Sequence, residues 1–511
     1  MKKRTAVIDI GSNSARLVIF EKTSRYGFHL ICEQKSKVRI GEGAYAKEGY
    51  LQPTGITRAY LTLKSFLHTI EKYQAKQCIC VATSALRDAP NGREFTQWIK
   101  KELGLSIRVI DGLKEARFGA IAAVNLLPIH NGITIDIGGG SSDLALLKNG
   151  SIVDTYSLNL GTVRLKELFF DSNDKKSTIL KNAKAYIRQE LASLPSIFRD
   201  TLAIGIGGTA RTLSKGIMKR THYPLDKLHA FSYTMSDHMT YLEAIPKSSA
   251  KNLKHFGLKK SRYDTIREGT LIFTEILSCI GAKSVTTSSV GVREGVFLEQ
   301  LLKKDNLHFP RTANPSVRSI LDRFKPLVTM EKKRKVKLSL ALKLYEIFQK
   351  EIQDNKSHAK ELLWALKLSN IGKTLTIYKA HQHAFYIAMQ ELNYGFTHQE
   401  SITIALLLRM HGKQLIHIPL YEKYEILLPA KETLRWLSFI YTLTVFLHEA
   451  SNSAKIEFTF DNQTLHIKSN KPLYLAKEKI KVLEKPIPFA IIIEDEDSLA
   501  KNKALGIEPS D

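Results

Sequence analysis

The order of apolar and polar positions divides the chain into a strand-and-helix first part and a helical second part. Residues 5–10 form a short β-branched run that ends at Gly11. Residues 16–21 form a second run and residues 29–40 a third, with tight turns between them, and all three predict strands. Ile56, Leu61, Leu63, Phe66, Leu67 and Ile70 keep helical spacing over residues 54–73. Residues 78–82 predict a short strand that opens into a polar loop, 83–92. A helix (94–103), a strand (106–111) and another helix (114–127) follow. The stretch 306–328 contains Pro310, Pro315 and Pro326 and reads as a linker. Beyond it the spacing predicts helices over 336–354, 361–369, 385–392, 401–410 and 431–450, then a strand pair at 455–460 and 463–469. The polar tail from Glu494 reads as mobile.

An internal repeat organises the first part. Val7 to Leu17 reads VIDIGSNSARL, and Thr134 to Leu144 reads TIDIGGGSSDL, at an offset of 127 residues. Asp, Ile, Gly, Ser and Leu fall in register, and each copy is strand, Gly/Ser turn, strand. A repeat this long predicts a duplicated domain, and the cleft between two such lobes is a natural ligand site. The second copy is followed by another strand with a glycine turn, 203–211, and by Gly291-Val-Arg-Glu-Gly295. The expected organisation is a first lobe over 1–127, a second over 128–305, a linker over 306–330 and a helical domain over 331–511.

Composition narrows the class of protein. Of 511 residues, 43% are hydrophobic and 25% charged, which excludes fibrous, low-complexity and wholly disordered chains. Four cysteines are too few for a disulfide scaffold and fit a reducing cytoplasm. No apolar run reaches the roughly 18 residues of a membrane span. Asp9 and Gly11 interrupt what would be the core of a signal peptide, so no signal is expected.

Charge is the first pointer to a partner. The net charge is +26, distributed as +17 over residues 1–300, +9 over 301–350 and zero beyond. Such a field attracts polyanions, so a polyanionic ligand is expected to meet the first two-thirds of the chain and the stretch just after it. The basic run 331–337 is either a solvated helix start or part of that contact.

Two Asp-x-Gly turns carry the chemistry. Gly11, Ser12, Asn13 and Ser14 in one copy, and Gly138, Gly139, Gly140 and Ser141 in the other, have the small side chains that let backbone amides approach a phosphate. Gly207, Gly208 and Thr209 form a third such turn. Asp9 and Asp136, at the strand ends, suit a hydrated Mg²⁺ that bridges phosphate oxygens. Asp143 lies on the strand after the second turn, where a hairpin brings it towards Asp136; the plain alternative is a surface carboxylate on an edge strand. Glu115 begins a predicted helix, where a glutamate ordinarily complements the helix dipole. Arg16, Arg87 and Arg293 have the planar fork that clamps phosphate, although each alone is equally a surface arginine. Cys78 and Cys80 read as strand alternation, not as metal ligands.

Asp9-Ile-Gly-Ser-Asn-Ser14, residues 83–91, Gly112-Leu-Lys-Glu-Ala-Arg117, Asp136-Ile-Gly-Gly-Gly-Ser141, Gly207-Gly-Thr209 and Gly291-Val-Arg-Glu-Gly295 together resemble the exopolyphosphatase/guanosine pentaphosphate phosphatase (Ppx/GppA) family. The resemblance implies an α/β fold of duplicated ribonuclease-H-like lobes, of the actin, sugar-kinase and Hsp70 superfamily. It implies removal of terminal phosphate from polyphosphate or guanosine pentaphosphate, with Mg²⁺ or another divalent cation. Glu115 then matches the catalytic glutamate, Asp136 a metal- and phosphate-site aspartate, and Arg87 a substrate-binding arginine. Asp143 stands where the family usually has Glu, and Lys114 where an acidic neighbour is common.

Residues 311–511 resemble the HD-type helical region of the family's longer members, which often dimerise through it. Ser369-Asn370-Ile-Gly-Lys373 stands where His-Asp-Ile-Gly-Lys would carry a metal, so no independent metal hydrolase is expected there. A residual site at His381 and His383 is the alternative, and His411 and Lys413 are candidates for polyanion or partner contact. The expectation is thus a cytoplasmic, homodimeric exophosphatase without membrane or nucleic-acid partners. A kinase or ATPase of the same superfamily and a non-catalytic sensor are the alternatives.

Overall fold

The computed structural model describes residues 3–44, 48–172, 174–325, 331–352, 354–410, 415–450 and 453–495, without the side chains of 331–334. The chain forms two compact units, 1–319 and 320–511.

The first unit holds two sheets with one topology. Strands β1 (Lys3–Ile10), β2 (Ala15–Lys22), β3 (Phe28–Ser36), β4 (Gln77–Ala82) and β5 (Ile107–Val109) lie in the order β3-β2-β1-β4-β5. Strands β6 (Gly132–Ile137), β7 (Ser142–Lys148), β8 (Ser151–Leu158), β9 (Leu202–Ile206) and β11 (Ser284–Thr287) repeat that order, and β10 (Ser232–Thr234) is added at the edge. In each sheet an antiparallel meander is joined to parallel strands, β1 to β4 and β6 to β9. The sequence repeat is therefore a structural one, and the α/β expectation of duplicated lobes holds.

Helices α1 (Pro53–Lys72), α2 (Ser84–Arg87), α3 (Gly92–Leu103) and α4 (Gly112–Leu126) are interleaved with the first sheet. Helices α5 (Thr162–Leu165), α6 (Lys176–Leu191), α7 (Gly207–Arg220), α8 (Met235–Lys247), α9 (Ile266–Ile280) and α10 (Val292–Leu301) follow. Leu63 and Phe66 of α1, with Phe95 and Ile99 of α3, bury the apolar residues of β1 and β2. Leu213 of α7 and Phe273 and Ile276 of α9 do the same for β6 and β7.

Two helices are exchanged between the sheets. Helix α4 follows the first sheet in sequence, yet its Ala120 and Ala123 pack on Ala145, Leu147, Ile204 and Ile206 of the second. Helix α10 follows the second sheet, yet Phe297 stacks on Phe20 of the first at 4.4 Å. The two helices also pack on each other. A Cβ on Gly295 would overlap the Phe118 carbonyl, so the crossing needs glycine.

Three local expectations change. The third strand ends at Ser36, because Ala15–Ser36 is the last pair its partner β2 offers. Residues beyond it instead brace the first turn, with Arg39 N donating to Asn13 O (3.1 Å) and Gly41 N to Ser12 O (3.1 Å). The polar loop 83–92 contains the helical turn α2, and the expected strand 106–111 keeps only Ile107–Val109.

Buried Glu268 makes part of the fold pH-sensitive. It lies near the start of α9, with Arg267 Nη2 at 3.6 Å. Burial raises its pKa to about 7, against the opposing effects of its own amide, Arg267 and Lys166. Below the unfolded-state value both states are protonated, so there is no effect. As pH rises from there to 7 the unfolded chain ionises first, and native stability falls by roughly 3 kcal/mol for this group. Glu268→Gln is expected to melt like the wild type at pH 4 and above it at pH 8. Equal melting temperatures at pH 8 would remove this account of Glu268.

The second unit begins within α11 (Pro315–Arg323), a helix that occupies part of the stretch expected to be linker. Its proline is the first helical residue, where a missing N–H costs nothing. Helices α12 (Glu331–Ile347), α13 (Ala359–Leu368), α14 (Ala380–Glu391), α15 (His398–Arg409), α16 (Ile418–Tyr424), α17 (Lys431–Ala450) and α18 (Tyr474–Ile480) dominate. Strands β12 (Ile456–Asp461) and β13 (Thr464–Ser469) form the expected pair, and β14 (Ala490–Glu494) adds a parallel third strand. Glu494, expected to begin a mobile tail, instead ends that strand opposite Lys468; residues 496–511 lie outside the described residues. Among the described residues no helix is long and apolar enough to cross a membrane.

Candidate active site

The two repeated turns face each other across a cleft in the first unit. Gly11 N donates to Ser14 O at 3.1 Å, and Gly138 N donates to Ser141 O at 2.9 Å. The turns come so close that a Cβ on Gly139 would lie 2.6 Å from Ser12 Cβ. The third turn, at the start of α7, closes the back. Gly207 has φ +78° and no room for a Cβ beside Asp136 Oδ1. The cleft encloses about 840 Å³ of space continuous with solvent.

One side of the cleft is acidic. Asp9 sits opposite Arg16 in the β1–β2 ladder, and Asp136 sits opposite Asp143 in the β6–β7 ladder. The repeat therefore places an arginine where its second copy has a carboxylate. Glu115 enters from the first turn of α4, because that helix packs on the second sheet. Burial raises Asp9 to about 6, with Asp136 and Glu294 adding to the shift and Arg293 and Arg16 opposing it. Burial also raises Asp136, against Arg211, Arg16 and Arg293. Glu115 is held well above the usual carboxylate range, first by burial and then by Asp143, Asp136 and Asp9, with Arg87 opposing. The Arg87 guanidinium lies 3.5 Å from Glu115 Oε2 and also donates to Ile110 O at 3.2 Å.

The facing side is cationic. Arg16, Arg211, Arg262 and Arg293 line the cleft, and Lys35 stands opposite Arg16 in the β2–β3 ladder. Glu33 ties two of them together, 2.9 Å from Arg293 and 3.7 Å from Arg16. Arg211 is anchored on Ser289 O at 2.8 Å. Burial and then the neighbouring Arg16 and Arg293 lower Arg211 to about 10. Burial and the same arginine cluster bring Lys35 down to about 8. Burial is the main cause of both shifts and the neighbouring cations add to it, while Arg293, despite its burial, is raised by nearby carboxylates; buried cations grouped in this way suit a multiply charged anion.

Most of the residues singled out from sequence meet here. Asp9, Gly11, Ser12, Asn13, Ser14, Arg16, Glu115, Asp136, Gly138, Gly139, Gly207, Gly208 and Arg293 all line the cleft. Four do not. Thr209 is fully buried against the helix that carries Gly269, and its side chain does not line the cleft. Gly140 offers its carbonyl to Arg164 at 3.0 Å. Ser141 Oγ donates to Asp143 Oδ2 at 3.3 Å, and Ser157 Oγ donates to Asp143 Oδ1 at 2.5 Å. Asp143 is thus neither an edge-strand surface carboxylate nor part of the cleft lining. Its oxygens are taken by serines one layer behind, and burial raises it to about 7 despite Ser157. Arg87 acts at the margin through Glu115.

Sequence reasoning missed Arg211 and Arg262. Arg211 lies four residues after Gly207 at a helix start, a spacing that puts both on one face. Arg262 belongs to a short 3₁₀ turn, Lys260–Arg262, with no local signal. Lys114 is exposed, and its amide, not its ammonium, is engaged, by Asp111 Oδ1 at 2.7 Å.

The cleft's donors fit a magnesium-like ion. Asp9 and Asp136 offer hard carboxylate oxygens beside the phosphate turns. Among the described residues no three His, Cys, Asp or Glu side chains form a closed metal cage. Mg²⁺ does not need one, since it keeps several waters and is held by one or two carboxylates plus substrate phosphate.

In the second unit, the Ser369 hydroxyl receives a hydrogen bond from Lys337 Nζ at 2.8 Å. An ammonium therefore occupies the neighbourhood where the HD-type pair would hold a cation. Burial, then Arg409 and His383, lower the pKa of His381. His411 and Lys413 lie outside the described residues.

Duplicated sheets, facing glycine turns and a cleft lined by buried carboxylates and arginines define an actin-like ATPase fold with a candidate phosphate-binding cleft. Residues 18–304 match the Ppx/GppA phosphatase family, and residues 314–484 match domain III of Ppx/GppA phosphatases. The chain belongs to the Ppx/GppA phosphatase family. It is similar to a bifunctional 3-dehydroquinate synthase/phosphatase of Fusobacterium nucleatum, 32% identical over 316 residues, which cover 58% of this chain and 47% of that protein. The chain thus spans about half the length of that relative. A guanosine-5'-triphosphate,3'-diphosphate pyrophosphatase of Pseudoalteromonas translucida is 26% identical over 419 residues, 80% of this chain and 81% of that one. The crystal structure of the Aquifex aeolicus family member matches with a TM-score of 0.52 and 27% identity, over 60% of this chain and 99% of that one. An exopolyphosphatase from Cytophaga hutchinsonii matches with a TM-score of 0.55 and 24% identity, over 60% of this chain and 100% of that one, and so shares the fold.

Proposed function

We propose that the protein removes the terminal phosphate of inorganic polyphosphate or guanosine pentaphosphate by hydrolysing the last phosphoanhydride. The observation that carries this reading is the pairing, in one cleft, of Glu115 above an acidic floor with an arginine wall. The phosphate chain lies on Arg16, Arg211, Arg262 and Arg293 and on the backbone amides of the three glycine turns. Glu115 accepts the proton of the attacking water, whose oxygen bonds to the terminal phosphorus as the bridging P–O bond breaks. Arg87 fixes the Glu115 carboxylate, and Asp143 acts on Glu115 and Asp136 through its charge. Asp9 and Asp136 would hold Mg²⁺, which when bound supplies neutralising charge to the transferred phosphoryl group.

The relative from Pseudoalteromonas supports guanosine pentaphosphate as a substrate, and with it a role in the stringent response. A cytoplasmic location and a homodimer complete the proposal. The test is orthophosphate release from long-chain polyphosphate and from guanosine pentaphosphate, side by side, with Mg²⁺ and with a chelator. Release from either that stops with the chelator is the expected result. Binding without release from either would replace the enzyme with a sensor.

Long polyphosphate should also respond to salt. With several basic contacts, KM for a long chain is expected to rise by an order of magnitude or more between about 50 and 200 mM salt, as for other polyanions. A flat KM would show that the net charge of +26 plays no part in substrate capture.

A further inference from the structure

A second basic cavity lies at the opposite end of the first sheet. It encloses roughly 1000 Å³ of space continuous with solvent, and it is bordered by Lys3, Arg4, Lys22 and Lys76 and walled by Phe297 and Leu301. Among the described residues no carboxylate lines it. Arg4 is neutralised by Glu21 at 2.9 Å. Lys3 and Lys22 are direct cross-strand partners in the antiparallel β1–β2 ladder. Neither has an acidic partner among the described residues. Like charges directly opposite each other destabilise a ladder, so this arrangement works against the fold unless an anion sits between them. Gln77 and Gln300, joined by a 2.7 Å hydrogen bond, border the same cavity.

The cavity is remote from the cleft. Lys3 and Asp9 are six residues apart on β1, about 20 Å at the usual rise per residue. The same elements nevertheless serve both places. Helix α10 contributes Val292 and Arg293 to the cleft at one end, and Gln300 and Leu301 to the cavity at the other.

We propose that this cavity is a second anion-binding site, which takes a di- or triphosphate group, free or carried on a nucleoside. Lys3 and Lys22 hold the phosphates, and the Phe297–Leu301 wall takes an apolar body if there is one. This proposal stands apart from the reading of the cleft, since it needs binding and no turnover.

Lysine acetylation of the full chain, read by mass spectrometry with and without ligand, tests it. Adenosine diphosphate and inorganic tripolyphosphate, without divalent cation, are the probes. Lys35 reports the cleft, and Lys3 and Lys22 report the cavity. Protection of Lys3 and Lys22 by either probe is expected, and which probe protects them identifies the source of the phosphate. In calorimetry with the same probes, the double variant Lys3→Gln/Lys22→Gln is expected to bind on the order of tenfold more weakly at that site, while protection of Lys35 in the labelling experiment is unchanged. It should melt no lower than the wild type, because it removes a like-charge pair. Lys3 and Lys22 labelled equally fast with and without both probes would overturn the proposal, whatever happens at Lys35.

Discussion

Glu115→Gln is expected to lower kcat for phosphate release by about 10²–10⁴, the usual contribution of a general base. The substitution keeps the shape of the side chain and its place in the first turn of α4. It removes the ability to accept a proton. Substrate binding should persist, because the arginines and glycine turns that hold the phosphate chain are untouched. The wild type should also lose activity on acidification at a pH above the ordinary glutamate range, since burial and three neighbouring aspartates hold the Glu115 pKa up. Stopped-assay kinetics across pH on both proteins measure this. A variant with full kcat would take Glu115 out of the chemistry and leave the cleft as a binding site.

Gly295→Ala is expected to damage stability and activity together. A single methyl at this position overlaps the Phe118 backbone carbonyl, which a rotamer change cannot relieve. Helix α10 must move off α4, at a cost typical of overpacking, on the order of 3 kcal/mol. These two helices carry Arg293 and Glu115 into the cleft from opposite lobes, so a shift between them separates the cationic wall from the base. Urea denaturation and turnover measured on the same preparation provide the check. An unchanged midpoint would mean that the crossing tolerates a side chain, and that the exchanged helices are not what holds the lobes in register.

Much of the site was legible because its residues are local in sequence. Asp9 with Gly11–Ser14, and Asp136 with Gly138 and Gly139, are strand ends followed by turns, and a turn is specified by neighbouring residues. The repeat then fixed their symmetry, since two copies in one register must form the same hairpin. Asp143 escaped correct placement for a physical reason. Strand alternation gives the face a side chain points to, but not the serines that take its oxygens, and Ser157 comes from a different strand. The same limit applies to Thr209. Its turn lines the cleft, while its side chain, past the start of α7, is turned into the packing against α9. Arg262 had no signal, because a short turn at residues 260–262 becomes part of the cleft only through the fold around it.

The sequence alone determined the duplicated α/β architecture and the paired glycine turns, because strand patterns and turns are set by short-range sterics and hydrogen bonding. Tertiary structure alone decided which charges share the cleft. The exchange of α4 and α10 between the sheets places Glu115 against the second lobe's aspartates and Arg293 against the first lobe's Glu33. The raised acid pKa values and the crowded arginines follow from that exchange, since burial and Coulomb interaction depend on distance through space and not along the chain.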